Sequence, residues 1–261
     1  MLLLRAILRL IRFSTSLLCV LAIFLPLLAR TKNLALSISE AIPLLFICMC
    51  TFIANDLDDI EKDRVNHPER PLPAGELTSE FAAVLYFLSL GLALFLTRYF
   101  VPQDIAFWYY GLITLTISYR YIVAFLPSVK TVYTAIGSSI PLLLIATSYP
   151  HEQKLRVAAA SVFLFILARE ICGDLQDRSG DAVSFMHRLS PSSLAVTAFI
   201  LQVLGLVLLA FQMTNRGDVI ALTSMTLLLT LSSVYWFKLA RYRRATLLMK
   251  IQLFVGLYFL I

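Results

Sequence analysis

The stretch Asn55 to Gly75, NDLDDIEKDRVNHPERPLPAG, decides how the chain is read, because an apolar run of membrane-span length ends there in acidic residues and then in basic ones. In a helical reading Asp56, Asp59 and Asp63 fall at i, i+3 and i+7, and Asn55 lies one turn before Asp59, so their oxygens converge on one face. Acids at the C-terminal end of a helix face the negative pole of its dipole and are unfavourable until a cation neutralises them. Magnesium favours a few carboxylates plus phosphate oxygens, so the spacing predicts Mg2+ and a phosphorylated substrate together.

A second cluster repeats the pattern. Arg169 to Asp181, REICGDLQDRSGD, closes another apolar run and sets Asp174, Asp177 and Asp181 at the same i, i+3, i+7 spacing. Two such triads suggest two helix ends facing one cavity, each holding part of a metal-diphosphate assembly. A solvated, charge-rich loop is the plain alternative for either triad, and it explains one far better than it explains both.

Composition fixes the solvent. With 59% hydrophobic and 15% charged residues and a mean hydropathy of +0.83, the chain is an integral membrane protein. Spans need about 20 apolar residues each, and several separate runs reach that length. The net charge of +6 therefore concerns loops beside anionic lipid, and no nucleic-acid partner is expected. Cys19, Cys48, Cys50 and Cys172 lie in or beside apolar runs without metal-ligand spacing and read as free core residues.

Leu2 to Arg12 is apolar but carries Arg5, Arg9 and Arg12 at helical spacing, which suits an interfacial segment leading into a span near Phe13 to Leu28. Its basic start resembles a signal peptide, but no small-residue cleavage site follows the long apolar stretch, so it is expected to stay as a first helix. The second span runs from about Ala35 to Ala54 and holds Glu40 near its outer end, either an interfacial acid or a functional one. Further runs lie near Phe81 to Leu96, Ile105 to Ile117, Val132 to Thr147, Ala158 to Leu167, Ser193 to Gln212, Val219 to Phe237 and Thr246 to Ile261. The expectation is an all-α, polytopic membrane bundle of about nine transmembrane helices around a central cavity, forming a single domain over residues 1–261. Pro68, Pro71, Pro73 and Gly75 stop the first acidic loop from continuing as helix.

Lys and Arg are denser at the N-terminus and in the even-numbered loops, among them Lys62, Arg64, Arg70, Arg120, Lys130 and Arg169. By the positive-inside rule the N-terminus and both acidic motifs face the cytoplasm. Some of these cations serve substrate phosphate instead of topology.

The motifs NDxxDxxxD, RPLxxG and REIxxDxxDxxGD, with about nine spans, resemble the UbiA superfamily of intramembrane prenyltransferases over essentially the whole chain. Asn55, Asp56, Asp59 and Asp63 match the first motif, Arg70, Pro71, Leu72 and Gly75 the segment after it, and Arg169, Glu170, Asp174, Asp177, Gly180 and Asp181 the second motif. The form is most similar to the branch containing digeranylgeranylglyceryl phosphate synthases and chlorophyll synthases. The resemblance implies two magnesium ions bridging the aspartates to the diphosphate of a polyprenyl donor, and departure of the diphosphate as an allylic cation develops. Arg70 and Lys130, with Arg169 and Arg178, are the cations expected on phosphate; a headgroup or topology contact is the alternative for each. An apolar tunnel with aromatic faces would hold the isoprenoid, and Tyr119, Tyr121, Phe125 and Tyr133 are candidates shared with cores and interfacial belts. Lys250 either snorkels or faces the cavity.

Three departures from the family pattern bear on the acceptor. Leu126 and Thr131 flank Lys130 where the family commonly has Tyr and a basic residue, Gly173 stands where the related branch often has Lys, and the segment after Asp181 lacks the usual Thr-Leu-Pro run. The metal ligands are untouched. The expected reaction is Mg-dependent prenyl transfer to a lipophilic acceptor, aromatic or hydroxyl, among membrane lipids. A membrane terpene cyclase using the same aspartates, and a non-catalytic cation-binding transporter or scaffold, remain open.

Overall fold

The computed structural model describes residues 2–126, 129–148, 153–176, 190–211, 216–239, 244–249 and 251–252. Ten helices follow one another: α1 (Leu2–Leu10), α2 (Phe13–Thr31), α3 (Leu34–Asp58), α4 (Ile60–Asn66), α5 (Ser79–Phe100), α6 (Gln103–Phe125), α7 (Lys130–Ser148), α8 (Gln153–Gln176), α9 (Pro191–Ala210) and α10 (Arg216–Lys238). Residues 244–249 and 251–252 are also helical, and no strand occurs among the described residues. Within the described residues the apolar runs expected to span fall on helix, and most of the last, Thr246 to Ile261, lies outside them. Five helices, α2, α3, α5, α7 and α9, are long and apolar enough to cross a membrane by length and composition, so the described residues support five spans where about nine were expected. In α6 tyrosines and hydroxyl residues with Asp104 and Arg120 dilute the apolar run, α8 carries Arg156, Arg169 and Glu170 within its length, and in α10 the apolar stretch among the described residues is Leu222–Tyr235, shorter than a span.

Local chemistry sets the boundaries. The Asn33 side chain accepts from the Leu36 N–H at 3.1 Å and caps α3; Thr78 does the same for the Phe81 N–H at 3.2 Å and caps α5. Between α4 and α5 the chain turns through residues 67–78, where Gly75 takes a φ of +70° that a side chain would resist. Arg12, between α1 and α2, adopts φ 44° and ψ 51°. For a residue with a side chain this left-handed conformation costs on the order of 1 kcal/mol or more, and it is held only where neighbours fix it.

Met1–Ala124 and Phe125–Ile261 form two compact units. In the first, α3 packs against α2 and α5, and α1 lies against a cluster of Ala6, Leu10, Ile11, Ile53, Leu72, Leu77 and Ala82. Outward, α1 shows Leu2, Leu3 and Leu4 beside Arg5, the pattern of a helix lying in a membrane interface. In the second unit α7 packs on α8, α8 on α9 and α9 on α10. Lipid tails are as apolar as leucine, so close backbone approach and interhelical hydrogen bonds hold such helices together. Gly205 fits that rule: a Cβ there would stand 3.3 Å from the Phe165 ring and from the Ser161 carbonyl oxygen. A buried polar seam adds two bonds, Ser233 donating to Gln202 at 3.3 Å and Gln252 donating to Thr230 at 2.8 Å. None of the four cysteines forms a disulfide.

Candidate functional site

The first acidic motif does not continue as one helix. The chain breaks at Asp59, which has φ −100° and ψ 11°, so Asp56 belongs to α3, Asp63 to α4, and Asp59 to the joint between them. The break brings two acids of the triad together and turns the third aside. The side chains of Asp56 and Asp63 are 3% and 6% exposed and share one cation, with Arg70 Nη1 3.6 Å from Asp56 Oδ1 and 2.5 Å from Asp63 Oδ2. Asp59 is 21% exposed and pairs with Lys62 at 3.1 Å. Asn55 contributes its backbone carbonyl, which accepts from the Asp59 N–H at 3.0 Å. Asp58, next to the triad, faces Arg120 of α6 at 3.1 Å.

A second guanidinium reaches the same acids from the N-terminal segment. Arg12 Nη2 donates to Asp56 Oδ1 at 2.7 Å, and the guanidinium lies 4.9 Å over the centre of the Phe52 ring. Arg9, one turn earlier, donates to both Glu76 carboxylate oxygens at 3.0 and 3.1 Å and to the Glu69 carbonyl, tying α1 to the turn that carries Arg70. Together these residues line an open pocket of about 380 Å3, with Arg9, Arg12 and Arg70 as its cations, Asp56 and Glu69 as its acids, and Leu8 and Phe13 among its apolar walls. Sequence reading counted Arg9 and Arg12 only as topology charges; their contact with residues far along the chain depends on the left-handed turn at Arg12, which no local residue type announces.

The electrostatics follow from burial. Asp63 lies outside the spanning segments, and burial pushes its carboxyl above the ordinary value while Arg70 pulls it back. Two buried carboxylates with no nitrogen or sulfur ligand suit a hard divalent cation such as magnesium. No group of three or more His, Cys, Asp or Glu converges among the described residues. A divalent ion at Asp56 and Asp63 would therefore need further oxygens beyond these two carboxylates.

Of the second motif, Asp174 sits in the last turn of α8, with only its backbone position described, while Asp177, Arg178 and Asp181 lie outside the described residues, as does Lys250. Arg169 pairs with its neighbour Glu170. Lys130 begins α7 and is half-buried. Among the aromatic candidates Tyr121 and Phe125 are exposed, whereas Tyr119 and Tyr133 are half-buried. Glu40 is 4% exposed and sits near the start of α3, at the opposite end of that helix from Asp56.

Apolar helices of membrane-span length, one of them ending in buried carboxylates paired with guanidinium groups, define a helical membrane protein with an ion-paired cluster at a helix end. The chain belongs to the UbiA prenyltransferase family, whose model matches residues 16–258. Digeranylgeranylglyceryl phosphate synthase from Sulfolobus acidocaldarius is 26% identical over 167 residues, 57% of this chain and 55% of that protein. The enzyme of the same name from Pyrococcus abyssi is 30% identical over 134 residues, 51% and 48% of the two chains. The matched stretch thus spans about half the length of these curated relatives. Among solved structures, the apo structure of a UbiA homologue from Aeropyrum pernix K1 superposes with a TM-score of 0.75 at 15% identity, covering 93% of this chain and 95% of that one. A UbiA homologue from Archaeoglobus fulgidus bound to GPP and Mg2+ gives 0.67 at 14% identity, with 98% and 99% covered. The fold is shared across the family, and its members are membrane proteins.

Proposed function

We propose that this chain transfers a polyprenyl group from a prenyl diphosphate to a lipophilic acceptor within the membrane. The candidate Mg2+ ligands are Asn55, Asp56, Asp59 and Asp63 of the first motif and Asp174, Asp177 and Asp181 of the second, with residues 1–261 acting as one catalytic domain. The observation that carries this reading is the buried Asp56–Arg70–Asp63 cluster beside a pocket lined by three arginines, since carboxylates and guanidinium groups together match a metal-bound diphosphate. A family relative bound to GPP and Mg2+ supports both the donor and the ion.

When bound, magnesium supplies positive charge to the diphosphate oxygens as the allylic carbon–oxygen bond breaks. The chain's own residues divide the remaining work. Arg70 holds Asp56 and Asp63 in register and offers its fork to phosphate, and Lys130, Arg169 and Arg178 are the further cations for the departing diphosphate. Apolar helix faces keep water from the developing cation. The acceptor is a hydroxyl or an aromatic ring; relatives named for a glyceryl phosphate product support testing a hydroxyl on an anionic lipid first. Orientation follows from the loop charges, with the N-terminus and the acidic motifs cytoplasmic.

The test is purified full-length protein in lipid nanodiscs given Mg2+ and prenyl diphosphates of different lengths, with and without glyceryl phosphate lipids or phenols. Diphosphate release together with a prenylated acceptor, identified by its mass, is expected. Release with a hydrocarbon or terpene alcohol in the absence of acceptor would make the protein a cyclase, and no release under any condition would leave a cation-binding scaffold.

A further inference from the structure

Arg12 is held by a left-handed turn of its backbone and by two contacts of its guanidinium. Its backbone is held at φ 44°, its guanidinium stacks on Phe52, and it donates at 2.7 Å to an aspartate that is 3% exposed. Arg70 approaches the same Asp56 oxygen at 3.6 Å. A divalent ion held by Asp56 would stand close to both guanidinium groups, since each already reaches the same carboxylate oxygen. Like charges at that separation in a part-buried site repel strongly, so the ion and the Arg12 contact compete for one carboxylate. Arg12 also lines the pocket together with Arg9 and Arg70, so an anion there would meet all three guanidinium groups.

We infer that Arg12 is a positioning residue that exchanges partners: it occupies Asp56 while the metal is absent, yields to the ion, and then turns its fork to the diphosphate that the ion carries. Two consequences of opposite sign follow. Arg12 weakens binding of the metal alone and strengthens binding of the metal with diphosphate. This makes the bare ion a poor ligand and the metal-diphosphate complex a good one, so that the site fills in a single event. The inference rests on the metal-diphosphate reading of Asp56 proposed above.

The test measures binding, independently of turnover. Free Mn2+ is followed by electron paramagnetic resonance in purified full-length wild type, Arg12→Gln, Arg12→Lys and Asp56→Ala, first with Mn2+ alone and then with Mn2+ and inorganic pyrophosphate. Arg12→Gln is expected to bind Mn2+ alone about 3- to 10-fold more tightly than wild type and to bind Mn2+ with pyrophosphate more weakly by a similar factor. Arg12→Lys, which keeps the charge but loses the fork, should fall between the two in the pyrophosphate arm. If Arg12→Gln does not fold, the same pair of opposite shifts, smaller in size, is required of Arg12→Lys. Shifts of the same sign in both arms, or no shift in either, would overturn the exchange. Asp56→Ala separates the two levels: unchanged Mn2+ binding there removes the metal site itself, whereas lost binding there with an unresponsive Arg12 removes only this inference.

Discussion

Arg70 donates to Asp63 at 2.5 Å across the helix break at Asp59, and this one contact holds the acid of α4 against the acid of α3. Without the guanidinium, two carboxylates that are 3% and 6% exposed would face each other with only Arg12 remaining on Asp56.

Arg70→Ala is therefore expected to destabilise the metal-free protein by about 1–3 kcal/mol, because a buried charge loses its partner. It should also slow diphosphate release by roughly 10²-fold, the scale seen when one donor to a developing oxyanion is removed. Arg70→Lys should recover much of the stability and less of the rate, since an ammonium has no fork. Unfolding midpoints and diphosphate release under the same conditions would check both, and equal recovery of the two by lysine would remove the forked contact.

The raised Asp63 carboxyl gives a pH dependence of definite sign. Burial disfavours its ionised form in the fold, so its contribution to stability is complete below the unfolded value of about 3.9 and is lost as pH rises through the raised folded value. In EDTA, the unfolding midpoint of wild type should fall relative to that of Asp63→Asn as pH is raised from about 4 to 7. Saturating Mg2+ and pyrophosphate should then reverse the order at pH 7, since a ligand at a hundred times its Kd adds about 2.7 kcal/mol to the form that binds it. Parallel curves in EDTA would mean that Asp63 carries no unfavourable charge.

Much of this was legible along the chain and some of it was not, for reasons that lie in geometry. The all-helical character was readable because apolar runs of such length have few other homes, though only five of the expected spans are long and apolar enough among the described residues, and the turn at Pro71 to Gly75 was readable because proline and glycine restrict the backbone. The spacing of Asp56 and Asp63 marked them as candidates that could meet, and the structure brings both to Arg70. The break at Asp59 was not, since neither proline nor glycine marks it and Asp59 to Asp63 continue a helical pattern. Nor was the Arg12 contact with Asp56 readable: it spans 44 positions and sits at a left-handed turn that no local residue type marks. The clue in the sequence was Arg9 and Arg12 closing a segment too short and too charged to span, which reads equally well as a topology signal.

Gly205 tests whether α8 and α9 are held by close approach. The Phe165 ring and the Ser161 carbonyl lie 3.3 Å from where a Cβ would stand, and the carbonyl belongs to helix backbone that has little room to give. Gly205→Val should lower stability by about 1–3 kcal/mol through overpacking. Adding Phe165→Leu should recover part of that loss by clearing the ring, and thermal unfolding of the single and double variants would measure the coupling. A Gly205→Val protein as stable as wild type would place these helices further apart than the structure shows.

Glu40 distinguishes a buried acid from a catalytic one. Its Oε2 atom is buried with no hydrogen-bond partner, while Asp104 adds a second negative charge nearby and the Tyr109 hydroxyl donates at 2.5 Å to the Glu40 backbone carbonyl, leaving the carboxyl uncompensated. Asp56 lies sixteen residues further along α3, which at the helical rise is about 24 Å away, so no proton or phosphate contact joins them. Glu40→Gln removes the charge, keeps the shape and leaves the Tyr109 bond to the backbone intact. It should raise stability by about 1 kcal/mol and change diphosphate release less than twofold, because an isolated carboxylate in an apolar bundle is a burden that an amide lightens. Unfolding midpoints and release rates measured side by side decide the matter: a tenfold loss of release in a well-folded Glu40→Gln protein would mean that the far end of α3 takes part in the chemistry after all.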